Sequence, residues 1–253
     1  MTTRATDVAI ADDALAGGHW LQRLVRPYYR TANVCLLHGD CRELLPTLPK
    51  ECDMLLTDPP YGIAFQGRAA NWDVLKGDDG NLDVPECLRA ALKRVKRGRH
   101  CYIFGRFDLS GLPLCSNVEL IWDKVNFGMG NLEIPWGPSH EPITFAIHEI
   151  SKVNRDKGAG GLSARIRRGS ILRCLRPNSA RISRHPTEKP TDILRQMIES
   201  STVMGETVLD PFAGSGSTLE AAQLEGRYAI GIELDERYCE TIAQRLEQLG
   251  ALL

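Results

Sequence analysis

Apolar and polar positions along the chain fall into short alternating blocks. Val34-Cys35-Leu36-Leu37-His38 reads as a buried strand ending at Gly39-Asp40, and Cys52 to Leu56 reads as a second, ending at Asp58. Between them, Cys41 to Leu48 has helical spacing. Residues 62–85 are polar and Gly-rich and predict a loop, overlapping the start of a helix over Val84 to Lys96, with Gly98 suited to its end. His100 to Phe104, Glu119 to Trp122 and Pro142 to Ile147 are strand-like. Pro190 suits the first turn of a helix running to about Ser200. Val208-Leu209, a helix over 216–225 closed by Gly226, a strand over Tyr228 to Ile232 and a helix over 236–249 complete the pattern. Short continuous apolar strands alternating with helices predict an α/β fold with a doubly wound, mostly parallel sheet. Residues 1–30 lack clear periodicity and read as an extension whose Trp20, Tyr28 and Tyr29 could pack on the body, so the predicted domain spans 31–253.

Composition changes this picture little. At 253 residues with 43% hydrophobic content, the chain can bury one large core. No apolar run is long enough to span a membrane, and residues 1–30 do not have the basic-then-apolar order of a signal peptide. The eight cysteines are scattered without a CxxC pair or zinc spacing, as expected of reduced thiols in a cytoplasmic protein without a structural metal.

Charge changes it more. The net charge is −1, but residues 151–184 hold ten bases and one acid, so this segment carries +9. Gly158, Gly160, Gly161 and Gly169 would let it bend along a surface. A local basic block on an acidic body is what phosphate contact needs, and Arg165, Arg167, Arg168, Arg173 and Arg176 are the candidate contacts with double-stranded DNA. A solvated loop is the plain alternative. The block is short for a separate recognition domain, so residues 62–85 or 126–140 are expected to share the reading.

Two motifs carry the chemistry. Asp58-Pro59-Pro60-Tyr61 puts a carboxylate, two rigid rings and an aromatic face at a strand end, which suits a flat, polar, stackable group. Asp210-Pro211-Phe212-Ala213-Gly214-Ser215-Gly216 is a Gly-rich strand-to-helix turn where backbone can approach a ligand closely. Glu233 follows Asp210 by 23 residues, near the offset at which an acid caps ribose hydroxyls. Leu219 stands where a dinucleotide fingerprint would have its third glycine, so a single nucleoside fits better. Asp40, Asp58, Asp210 and Glu233 all lie at predicted strand ends, where one crevice could hold them.

With Leu37-His38-Gly39-Asp40, Thr57-Asp58-Pro59-Pro60-Tyr61-Gly62, Ile121-Trp122-Asp123-Lys124, His185-Pro186-Thr187-Glu188-Lys189-Pro190 and Asp210 to Thr218 in this order, the chain resembles DNA amino-methyltransferases that use S-adenosylmethionine and carry the catalytic motif before the cofactor motif. The resemblance covers about residues 33–245 apart from the basic segment. It implies a Rossmann-like methyltransferase fold. It also implies that Asp210, Phe212, Gly214 and Gly216 wrap the methionine and ribose, that Glu233 takes the ribose hydroxyls, and that Asp40 takes the adenine amino group. Thr187 and Lys189 would lie near the methionine carboxylate. Asp58, Pro59, Pro60 and Tyr61 would hold the target amine of a flipped-out base. Asp at position 58, where N4-cytosine enzymes of that family mostly have Ser, implies N6-adenine. A homodimer and a cognate restriction endonuclease would be compatible partners. Methylation of cytosine N4, of RNA or of a protein amide, and a silent DNA-binding relic, are the competing readings.

Overall fold

The computed structural model describes residues 19–24, 26–61, 82–126, 128, 133–149, 166–175 and 188–251. The expected loop over 62–85 therefore lies mostly outside the described residues, as do Thr187, Arg165, Arg176 and much of the basic block.

Among the described residues, nine strands form one sheet: β1 (Tyr29–Arg30), β2 (Val34–His38), β3 (Cys52–Thr57), β4 (Val95–Phe104), β5 (Leu114–Asp123), β6 (His140–His148), β7 (Ile171–Arg173), β8 (Thr207–Asp210) and β9 (Tyr228–Glu233). Their order is β1-β2-β9-β8-β3-β4-β6-β5-β7. Strands β2, β9, β8, β3 and β4 run parallel; β6 is antiparallel to β4 and β5, β7 is parallel to β5, and β1 is antiparallel to β2. Among the described residues, the α-helices are α1 (Cys41–Leu44), α2 (Val84–Leu92), α3 (Thr191–Ser201), α4 (Ser217–Leu224) and α5 (Glu236–Gly250).

The period-two alternation of the strands sorts side chains onto two cores. Cys35, Leu37, Leu55, Leu209 and Ile230 face α1 and α2, where Leu44, Leu88 and Leu92 are buried. Val34, Leu36, Met54, Leu56 and Val208 face α3, α4 and α5, meeting Ile193, Met197, Leu219, Ile242 and Leu246. Because both faces of β2 and β3 are covered, those strands read as unbroken apolar runs.

Three boundaries differ from the sequence reading. Helix α2 stops at Leu92, and Gly98, expected just past a helix, sits inside β4 at φ +79 where the strand leaves regular register with β3. Trp20 to Arg23 forms a 3₁₀ turn with Leu21 and Leu24 buried in the first core, so the body begins before residue 31. Ile171 to Arg173, inside the basic block, is the edge strand β7.

The chain leaves β3 toward β4 on one side and β8 toward β9 on the other. The reversal falls between β3 and β8, neighbours paired at Leu55 and Leu209. A crevice opens beyond the carboxyl ends of strands at such a switch point. Asp58 and Asp210 flank it.

Candidate active site

Thr57 ends β3 and Asp210 ends β8, and the buried Thr57 hydroxyl donates to Asp210 Oδ1 at 2.9 Å. The Phe212 amide donates to the same oxygen at 3.1 Å, fixing the start of the Gly-rich turn. Burial pushes the Asp210 carboxyl up to about 7 against these hydrogen bonds. Gly216 caps α4 at φ +80, a left-handed conformation that favours glycine, and a Cβ there would press on Ile242 of helix α5 at 3.0 Å.

Glu233 ends β9 and reaches across the turn. Its Oε2 accepts from the Gly214 amide and its Oε1 from the Asp235 amide, both at 2.8 Å. Burial raises its carboxyl to about 7 despite those donors. Asp40 follows β2, whose His38 is in register with Glu233. It caps α1 by accepting from the Arg42 amide at 2.8 Å, and its Oδ2 pairs with the Arg42 guanidinium at 2.6 Å. Hydrogen bonding to Arg42 holds its carboxyl below the usual range. Asp40, Asp210, Phe212, Gly214, Gly216 and Glu233 thus gather along the carboxyl ends of β2, β9 and β8, as the sequence pattern anticipates.

Asp58 and Tyr61 lie at the neighbouring end of β3. The Tyr61 hydroxyl donates to Asp58 Oδ1 at 2.8 Å, and its ring stacks on Phe107 at 5.9 Å between centroids, 11° from parallel. Lys189, expected beside a cofactor carboxylate, places its buried ammonium 2.8 Å from Asp58 Oδ2 and 3.0 Å from Glu141 Oε2. Lys124, also buried, closes the group at 2.8 Å from Glu141 Oε1. Burial raises the Asp58 carboxyl even with Lys189 opposing it, whereas Lys189 and Lys124 together outweigh burial at Glu141 and hold it low. Lys189 is held charged: burial works against the ammonium, and Asp58 and Glu141 overcome it.

The neighbouring Glu188 accepts from Arg245 Nη1 at 2.6 Å, and the same guanidinium nitrogen donates to the Ser215 carbonyl at 3.2 Å. The buried Arg245 thereby ties the segment carrying Lys189 to the Gly-rich turn. Glu141, Lys124 and Arg245 had no assigned role in the sequence reading. Lys124 stood in a quoted motif, but an acid opening a strand gives no local signal of what it will face.

The basic block meets its expectation only partly. Arg167 is exposed. Arg168 is tied to Glu199 at 2.6 Å and to the Ser200 hydroxyl at 3.1 Å, and Arg173 pairs with Asp123 at 2.9 Å while staying 78% exposed. Acids of the body thus neutralise part of what sequence counting treats as free positive charge. At the same end of the sheet as the Asp58–Tyr61 motif, the β5–β6 connection carries Trp136, 80% exposed, with Val125 and Ile134 also exposed.

The model of the DNA methylase family that covers N6 and N4 amino-methylases matches residues 115–245, half of the chain. The chain belongs to the DNA methylase family. This DNA methylase is 25% identical to the type II methyltransferase M2.LlaDCHI of Lactococcus lactis subsp. cremoris, over 89% of its own length and 93% of the relative's. It is 26% identical to the DNA adenine methyltransferase YhdJ of Escherichia coli, over 84% and 82% of the two chains. Among solved structures, the M1.HpyAVI–SAM complex shares the fold at TM-score 0.64 and 21% identity, covering 84% of this DNA methylase and 98% of that chain. No helix among the described residues is long and apolar enough to cross a membrane, and no group of acids, histidines or cysteines among them could hold a metal.

Proposed function

We propose that this DNA methylase transfers a methyl group from S-adenosylmethionine to the exocyclic N6 of adenine in double-stranded DNA, with the target base flipped out. The observation that carries the reading is the Asp58–Tyr61 pair at the switch point, beside the Gly214–Glu233 turn.

The cofactor side fits a nucleoside bearing a charged tail. Glu233 is an acid whose charged form burial disfavours despite its amide donors, and ribose hydroxyls donating to its remaining lone pairs would favour that form. Gly214, at φ +52, brings its backbone against that carboxylate. Asp210 and Phe212 would line the methionine side, and Asp40 would share its carboxylate between Arg42 and the adenine amino group. Thr187 would add a contact from outside the described residues. The cofactor supplies an electrophilic methyl on a sulfonium.

The rest of the chemistry belongs to the chain. The exocyclic amine is a poor nucleophile because its lone pair is delocalised into the ring. Hydrogen bonds from its N–H groups to Asp58 and to the Pro59 carbonyl would favour a pyramidal nitrogen with a directed lone pair, in a turn that Pro60 stiffens. The C–S bond breaks as the N–C bond forms, and a proton leaves the amine afterwards. Alignment supplies much of the rate, since effective molarities for oriented groups reach ~10⁵–10⁸ M. Stacking on Tyr61 would contribute roughly 1–3 kcal/mol against the few kcal/mol that base flipping costs. Asp58, with the similarity to an adenine enzyme, supports adenine over cytosine. Arg165, Arg167, Arg173 and Arg176 would contact phosphates, Arg168 doing so only by sharing its guanidinium with Glu199, and Trp136 would stack on exposed bases.

Incubation of the purified protein with tritiated S-adenosylmethionine and DNA, RNA or protein tests the class of substrate. Label in DNA alone is the expected result; label in RNA or protein alone would move the function elsewhere.

A further inference from the structure

Both oxygens of Asp58 are engaged before any base arrives. Tyr61 donates to Oδ1 and the Lys189 ammonium sits on Oδ2, each at 2.8 Å. That arrangement is awkward for methyl transfer. The amine nitrogen gains positive charge as the N–C bond forms, and an ammonium on the same carboxylate both repels that charge and competes for the acceptor. Lys189 is also confined: it is 6% exposed, with its nitrogen 5.3 Å from the centre of the Phe104 ring and 5.8 Å from that of Tyr61. It cannot simply move into water.

Glu141 offers the other seat. Its Oε2 already lies 3.0 Å from Lys189 Nζ, so a small displacement moves the ammonium off Asp58 without breaking its second ion pair. Lys124 holds the opposite oxygen of Glu141 at 2.8 Å, which orients the carboxylate and keeps it ionised. The ionisable groups facing Lys189 are Asp58 and Tyr61 after β3, and Glu141 on β6; Lys124 after β5 reaches Glu141 from the far side, and Asp210 lies near Asp58 on β8. The four charges of Asp58, Glu141, Lys124 and Lys189 sum to zero, so the shift requires no ion to enter or leave.

We propose that Glu141 is a positioning residue for the transfer step: it draws Lys189 off Asp58 as the target amine docks, leaving Asp58 Oδ2 to accept the amine N–H. The inference rests on the reading of Asp58 as the amine's acceptor.

Glu141→Gln tests it, measured by single-turnover methyl transfer, cofactor affinity and a pH profile. In the variant, Lys189 has only Asp58 as a partner. The turnover rate at neutral pH is expected to fall at least tenfold with cofactor affinity within about twofold. The rate should recover with rising pH before any change appears in the parent profile, because losing Glu141 removes one of the two carboxylates that hold the buried Lys189 ammonium charged against desolvation. The double variant Lys124→Met with Glu141→Gln restores neutrality and guards against a folding artefact. It should remain slow, because Lys189 still lacks a second seat. A Glu141→Gln protein with the parent's rate and pH profile overturns the inference, as does full recovery in the double variant, which would reduce Glu141 to charge balance. Either result leaves the proposed function standing, whereas an Asp58→Ala variant that still turns over would overturn the reading beneath.

Discussion

The Tyr61 ring packs against the backbone of Gly105 so closely that a Cβ at position 105 would lie 2.2 Å from Tyr61 Cε1, and Gly105 itself holds φ +89. Gly105 follows β4, so the strand beside β3 shapes the floor under the aromatic ring. Gly105→Ala should cost roughly 1–2 kcal/mol in backbone strain and push the ring away from Asp58. The expected outcome is a lower melting temperature, a fall in methyl transfer of at least tenfold and unchanged cofactor affinity. Calorimetry beside a tritium-transfer assay checks it; parental turnover would remove Tyr61 from the base site.

Asp58→Ala should abolish methyl transfer and leave cofactor affinity within severalfold, because Asp58 faces Tyr61 and Lys189 rather than the Gly-rich turn. Titration with the cofactor, run with the transfer assay, separates the two effects. A large loss of cofactor affinity would place Asp58 on the cofactor side.

How much of this was legible in the sequence varies by element. The parallel half of the sheet was, because β2, β3, β8 and β9 are buried on both faces and must be apolar throughout. The ends of those strands located Asp58, Asp210 and Glu233. Gly98 misled because positive φ serves a helix end and a strand irregularity equally well. Strand β7 was hidden because three residues amid a charge run show no period. Glu141 was out of reach for a different reason: its role depends on β6 lying antiparallel beside β4, a long-range pairing with no trace near residue 141.

Cofactor affinity should depend on pH. Glu233 titrates at about 7 in the folded protein, above its ordinary value, because burial disfavours the carboxylate. Ribose hydroxyls donate best to the ionised form, so affinity should rise as pH passes upward through about 7. Stability of the cofactor-free protein should move the other way. An acid whose folded pKa is raised adds stability at acid pH, and that contribution is lost as pH rises from the ordinary carboxylate range through the folded value. Glu233→Gln should weaken binding by about 1.5–3 kcal/mol and flatten the dependence. A pH-independent affinity in the parent would argue against this carboxylate as the ribose contact.

DNA binding should depend on Trp136 and on the exposed arginines by different routes. Replacing Arg167 and Arg173 with Ala should lower the slope of log affinity against log salt by up to about 0.9 for each phosphate no longer neutralised. Trp136→Ala should leave that slope unchanged and weaken binding by removing a stacking surface, worth roughly 1–3 kcal/mol per base. Fluorescence anisotropy across a salt series distinguishes the two; a Trp136→Ala protein with parental affinity would remove that side chain from the interface.

The central claim is methyl transfer to adenine N6 in DNA, and nucleoside analysis tests it most directly. Unmodified DNA is incubated with the purified protein and S-adenosylmethionine, digested to nucleosides and separated by liquid chromatography with mass detection. The predicted product is N6-methyldeoxyadenosine, absent when Asp58→Ala replaces the parent. N4-methyldeoxycytidine in its place, or no methylated nucleoside at all, would contradict the account.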